Sequence, residues 1–222
     1  YLIDHGCQRI VRYWEVRKRG GGVHHWLRQR DRGFERVMRE RDLEPLPPVW
    51  AENQLADRSG EARSKPEHIE AKGRLALGWL HEHLVGPRRV DGVVALNDGA
   101  AFSVARACQI VGLTPGRDVL IAGYDNAFAD APEWPNLPFA PNVTIDKQNP
   151  RAGRQLIALL NQRIAQTLPG DPQRWVVEPQ LIESNPHGVV GNTSPRRSGE
   201  HVTTHRGRWA EHHTSTVTEG GP

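Results

Sequence analysis

Cysteine is close to absent from this chain. Cys7 and Cys108 are the only two in 222 residues, and without a CxxC pair or an evenly spaced framework they exclude a disulfide-stapled secreted scaffold. A reducing compartment, the cytoplasm, is the expectation. Lysine is scarce as well: of 29 basic residues only Lys18, Lys65, Lys72 and Lys147 are not arginine. Against 26 acidic residues these leave a formal charge of +3, and no cluster reaches the roughly five or six like charges of a nucleic-acid tail. Long apolar runs are missing too. The longest, around residues 90–96 and 119–123, fall far short of the roughly 18 residues of a membrane span. Residues 1–6 hold no initiator Met, no basic n-region and no apolar h-region, so we expect no signal peptide and a chain whose N-terminal portion lies upstream.

What is present is an alternation of two periodicities. Arg9 to Trp14 reads as a strand, and Leu27, Phe34, Val37 and Met38 follow at helical spacing ahead of the breaker Pro45. A short apolar segment at Pro48 to Ala51 precedes a polar linker over 53–66, then Ile69, Gly73, Ala76, Leu77, Leu80 and Leu84 mark one face of a second helix that stops at Gly86 and Pro87. Residues 90–96 form a near-continuous apolar run, the pattern of a strand buried on both faces. A helix over 100–111 follows, with Ala101, Val104, Ala105, Cys108 and Val111 as its apolar stripe and Gly112 as its stop. Residues 118–123 predict another buried strand, and a proline-rich loop (Pro132, Pro135, Pro138, Pro141) leads to Val143, Thr144 and Ile145. Asn149 is placed to cap a last helix with Pro150 at its first position and Leu156, Ile157, Leu160 and Ile164 on one face; residues 174–184 close as one or two strands.

Strand and helix alternating through the body predict an α/β fold with a doubly wound, mainly parallel sheet. Residues 1–184 carry this pattern. Residues 185–222 are rich in Gly, Ser, Thr, His and Arg with neither periodicity, and we expect a disordered tail that cannot bury enough apolar surface to offset its ordering entropy.

In open α/β sheets ligands sit at the C-terminal ends of the strands, which draws attention to the polar residues that follow each apolar run. Asn97 and Asp98 end one strand, and Asp125 and Asn126 follow the next. Each pair offers a carboxylate and an amide, the acceptors and donors that a polyhydroxylated ligand needs; Asp98 and Asn126 serve equally well as caps of the helices that follow them. Arg30 lies among Arg28, Arg32, Arg36 and Arg39, where a solvated basic face is the plainer reading. Trp14 and Trp26 flank this region and offer faces for sugar rings, or simply core.

No metal or cofactor is expected. His81 and His83 are two apart, His24–His25 and His212–His213 are adjacent, and His201 and His205 stand in the tail without Cys or Glu partners. There is no GxSxG, P-loop or GxGxxG, and nothing in the sequence asks for an enzyme. A hydrolase or phosphotransferase using Asp98 and Asp125 on magnesium is a poorly supported alternative.

Taken together, the segments resemble the effector-binding region of the lactose-repressor/galactose-repressor family (LacI/GalR) of bacterial transcription regulators, a fold shared with type I periplasmic binding proteins. Residues 1–10 resemble the family's helix end and strand start, and Arg30-Asp31-Arg32-Gly33-Phe34 its RxxGF element. Leu96-Asn97-Asp98 with Ala100 and Ala101 resembles its NDxxA stretch, and Pro115 to Val119 through Gly123-Tyr124-Asp125-Asn126 its PxDV and GYDD stretches. The likeness spans residues 1 to 184. It implies Arg30, Asn97 and Asp125 as ligand contacts, beside the candidates Trp26 and Trp14 read from the sequence itself, and a chain made mostly of the second lobe. It also implies a sugar-like effector, a homodimer, no membrane, and operator DNA bound only through a helix-turn-helix outside this chain. A solute-binding protein of a sugar ABC transporter is the alternative, since the two share a fold. Two departures stand out: Tyr13 to Arg19 replace the usual Gly-Gly-Pro after the first strand, and Cys7 replaces the family His.

Overall fold

A computed structural model describes residues 1–16, 25–52, 65–130, 136–137, 139–168, 170–171 and 174–184. The expected tail at 185–222, most of the 53–66 linker, residues 17–19 and Pro132, Pro135 and Pro138 lie outside the described residues. The elements run β1 (Ile10–Val16), α1 (His25–Glu40), β2 (Val49–Glu52), α2 (Lys65–Leu84), β3 (Gly92–Ala95), α3 (Asp98–Ile110), β4 (Leu120–Ala122), a 3-10 turn at Phe128–Asp130, β5 (Val143–Asp146), α4 (Asn149–Ile164) and β6 (Gln180–Glu183). They build a six-stranded sheet in the order β2-β1-β3-β4-β5-β6, parallel throughout except for the antiparallel β6.

The sheet is doubly wound, as the alternation predicts. Side chains alternate across each strand, so Val11 and Tyr13 of β1 join Val93, Ala95 and Ile121 in a core with α2 and α3. On the opposite face Ile10 packs with Leu2, Cys7 and Met38, and with the partly buried Phe34, Val94 and Leu120. Each layer holds one thiol. Cys7 donates to the Asp91 carbonyl at 3.3 Å, and burial pushes both Cys7 and Cys108 up to about 12. Because β1 pairs with β2 on one side and β3 on the other, the winding direction reverses at β1, the position where such sheets open a crevice at their C-terminal edge.

α3 is enclosed more fully than its stripe suggests: Ala100, Phe102, Ser103 and Ala107 are buried alongside Ala101, Val104, Ala105 and Cys108. It ends as Gly112 predicts. Gly112 takes φ +78°, its N–H reaches the Gln109 carbonyl and that of Leu113 the Cys108 carbonyl, closing the last turn in the left-handed form that glycine adopts without penalty. α2 crosses α3 where Gly73 has no Cβ, and the stem of Arg106 occupies that space while its guanidinium grips Glu70 at 2.6 Å.

Two expectations need correction here. Asn149 is the first residue of α4 rather than its cap; Gln148 flanks it in the left-handed region at φ 57° and makes no side-chain cap bond, so Pro150 sits one position deeper. Trp14 is core: β1 turns it toward α1, leaving 1% of it exposed. α4 itself buries no residue, and Leu156, Ile157, Leu160 and Ile164 are all exposed.

Under α1 lies a buried arginine that the apolar reading of β1 did not suggest. Arg12 is enclosed; it donates to Asp31 at 2.8 Å, Glu35 at 3.3 Å and the Leu46 carbonyl at 2.9 Å, and lies over the Phe34 ring. Trp14 donates its indole N–H to the same Asp31 oxygen at 2.9 Å. Asp31 therefore ties two β1 side chains to α1. Removing one partner of such a pair strands a buried charge, so Asp31→Ala should cost about 3 kcal/mol. Urea unfolding of the variant checks this; a loss below about 1 kcal/mol, the range of an exposed pair, would count against it.

Candidate functional site

The C-terminal edge of β3 and β4 opens into a cavity of about 890 Å³ lined by His25, Trp26, Gln29, Arg30, Leu96, Asn97, Tyr124, Asp125 and Lys147. Four of the five expected contacts meet here: Arg30, Asn97, Asp125 and Trp26. Trp14 does not; it stays in the core beneath α1. A hollow of about 580 Å³ along α2, lined by Arg74, Leu77, Gly78, Trp79 and the His81–His83 segment, draws on that helix alone. Polar groups from several elements converge only at the strand-edge cavity of these two, the arrangement expected of a ligand site.

Arg30 departs from the basic face around it. Arg28, Arg32, Arg36 and Arg39 are exposed, whereas Arg30 is half-buried, donates to the Leu96 carbonyl at 2.7 Å, and lies 3.5 Å from the centroid of Tyr124 and 4.8 Å from that of Trp26. Stacking on both rings holds the guanidinium in one orientation while its remaining N–H groups stay available as donors.

The cap of α3 falls on Asn97 rather than on Asp98, and Asn97 still lines the cavity. Asn97 caps α3, its Oδ1 accepting the Ala100 N–H at 2.8 Å, which leaves the amide nitrogen to donate elsewhere. Asp98 caps nothing. Its carboxylate, 2% exposed, accepts the Ala127 N–H and the Thr144 hydroxyl, each at 2.7 Å, while its own N–H donates to the Tyr124 carbonyl at 2.9 Å. Gly123 is obligatory beside it, since a Cβ there would collide with Asp98 Oδ1.

These bonds hold a strained turn. Asp125 has φ +100° and Asn126 +53°, values that side-chain-bearing residues adopt at a cost of roughly 1–3 kcal/mol each. Asp125 N–H donates to the Ile145 carbonyl at 2.9 Å and Asn126 N–H to Thr144 Oγ1 at 3.2 Å. Asn126 is likewise no cap; its amide reaches Asp146 at 3.2 Å. The turn thus presents Asp125 to the cavity, where Lys147 pairs with it at 2.7 Å.

His25, Gln29, Tyr124 and Lys147 were not among the expected contacts. Lys147 follows the last residue of β5, so the rule that picked out Asn97 and Asp125 would have found it if applied to that strand as well. Tyr124 stands next to Asp125, and His25 and Gln29 share the α1 turn of Trp26 and Arg30. Among the described residues no three His, Cys, Asp or Glu side chains are grouped to hold a metal, and no helix is long and apolar enough to cross a membrane.

The model of the periplasmic binding protein-like domain family matches residues 1–184. The chain belongs to that family. No curated protein matches it. Among solved structures, this periplasmic binding protein-like domain is similar to a regulatory protein of the LacI family from Chloroflexus aggregans, with 24% identity over 83% of this chain and 57% of that one and a TM-score of 0.59. A LacI-family transcriptional regulatory protein from Corynebacterium glutamicum is 26% identical over 82% of this chain and 59% of that one, with a TM-score of 0.53. The transcriptional regulator CelR, in complex with cellobiose, is 20% identical over 82% and 47%, with a TM-score of 0.55. The chain thus spans about half to three-fifths of the structures it matches.

Burial raises the Asp98 pKa above its ordinary value of 3.8, outweighing the hydrogen bonds from Thr144 and Ala127 that favour the charged form. A raised carboxyl means that the folded state binds the proton more tightly than the unfolded one, so its charging weakens the fold as pH climbs from about 4 through the raised value. Wild type should therefore lose stability relative to Asp98→Asn across that interval. Urea titrations of both proteins from pH 4 to 7 test this, and a constant difference would contradict it.

Proposed function

We propose that this chain is the ligand-sensing part of a bacterial transcription regulator, in which a sugar-sized polyol occupies the strand-edge cavity and shifts the DNA affinity of a helix-turn-helix located elsewhere in a homodimeric protein. The observation that carries the reading is the convergence of Arg30, Asn97, Asp125 and Trp26 on one cavity at the reversal of the sheet. Forked donors, an amide, a carboxylate and an aromatic face match the hydroxyls and the apolar face of a sugar ring. The regulator reading is favoured over transport because the similar structures named above are described as regulators, one of them holding cellobiose. Nothing in the cavity requires chemistry beyond binding, and we assign the chain no catalytic role.

The test is a thermal-shift screen of sugars on the full-length protein, followed by calorimetry on whichever binds. Arg30→Ala and Asp125→Ala should each weaken that ligand roughly ten- to a hundredfold, the size of a lost charge-assisted hydrogen bond. Arg28→Ala and Arg36→Ala, on the exposed side of α1, should leave affinity within about twofold. Equal effects from all four, or a silent Arg30→Ala, would dismiss the assignment.

A further inference from the structure

Among the described residues, the charge lining the cavity is not balanced. Arg30 and Lys147 are cationic, and Asp125 is the only carboxylate among the described residues that line it. Asp125 is already matched by Lys147 at 2.7 Å. Arg30 has a carbonyl and two aromatic rings for company, and no carboxylate among the described residues pairs with it. Asp31, next to Arg30 on α1, is engaged by Arg12 and Trp14, and Asp98 by Ala127 and Thr144.

Two cations also contact one ring, Arg30 at 3.5 Å and Lys147 at 5.8 Å from the Tyr124 centroid. A neutral ligand closing over Arg30 would take water from a guanidinium without supplying a counter-charge, which is an unfavourable burial. An anionic group removes that penalty. Arginine presents five donors in a fork and Leu96 uses one; lysine has three and Asp125 engages one, so both retain donors for a ligand. The N-terminus of α3, whose cap Asn97 lines the same cavity, adds partial positive charge there.

We propose that the ligand of this cavity is an anionic polyol: a sugar-sized molecule bearing a carboxylate or phosphate that Arg30 and Lys147 hold, with its hydroxyls on Asp125 and Asn97. This rests on the reading of the cavity as the effector site and narrows the ligand to a charge class.

The experiment is titration calorimetry on the full-length protein with matched sets for glucose, galactose and mannose, each comprising the neutral hexose, its uronate, its aldonate and its 6-phosphate. At least one acid or phosphate ester should bind about tenfold or more tightly than its parent, and the gap should narrow as salt is raised. Whichever arm responds distinguishes carboxylate from phosphate. Lys147→Gln should collapse the preference and Lys147→Arg should retain it; Lys147 is 42% exposed in its side chain, so both variants should fold. A neutral hexose that binds as tightly as its acids overturns the anionic class and leaves the effector site standing. No binding by any member of the panel overturns both.

Discussion

A single carboxylate sealed from water organises the edge of the sheet where the cavity opens. Asp98 begins α3, its N–H reaches the turn after β4, and its two oxygens take the Thr144 hydroxyl of β5 and the Ala127 N–H beyond the turn. One residue of α3 therefore holds both the turn after β4 and β5 in place. Burying that charge disfavours its ionised form, as the raised pKa records, yet the same burial makes its hydrogen bonds stronger than they would be in water. The strained backbone of Asp125 and Asn126 persists because the bonds around it over-determine the turn.

The other wall of the cavity depends on a second buried charge. Arg12 projects from β1 into the layer opposite α2 and α3 and binds Asp31 and Glu35 of α1, with Trp14 converging on Asp31. Arg30 precedes Asp31 on that helix. The network that anchors α1 thus lies beside the residue that α1 offers to the cavity, and a shift in one would be felt by the other. Stability and site geometry share the same few bonds on both walls.

Most of the architecture was legible because β1 and β3 at the centre of the sheet are largely buried on both faces and α1 and α2 on one, which writes two distinct periods into the chain. The site was legible at the level of place: polar residues after β3 and β4 do meet at one cavity. Roles within neighbouring pairs were not. Asn97 and Asp98 are both good cap residues, and only the position of Thr144, 46 residues along the chain from Asp98, determines which one turns inward. Trp14 and Trp26 differ by strand parity and helix face rather than by any local signal. Arg12 is hidden for the same reason, since its burial rests on Asp31, Glu35 and the Leu46 carbonyl, all supplied by later segments. At the start of α4, Asn149 has the right chemistry for a cap, but the left-handed turn falls on Gln148.

The two cysteines divide between the two layers of this sheet, Cys7 in the layer with α1 and Cys108, on α3, in the layer with α2. Each is buried and held protonated well above neutral pH, so neither reacts while its layer is closed. The molecule therefore carries a built-in pair of reporters: the rate at which an alkylating reagent captures each thiol measures how often that side of the sheet opens, separately from the other.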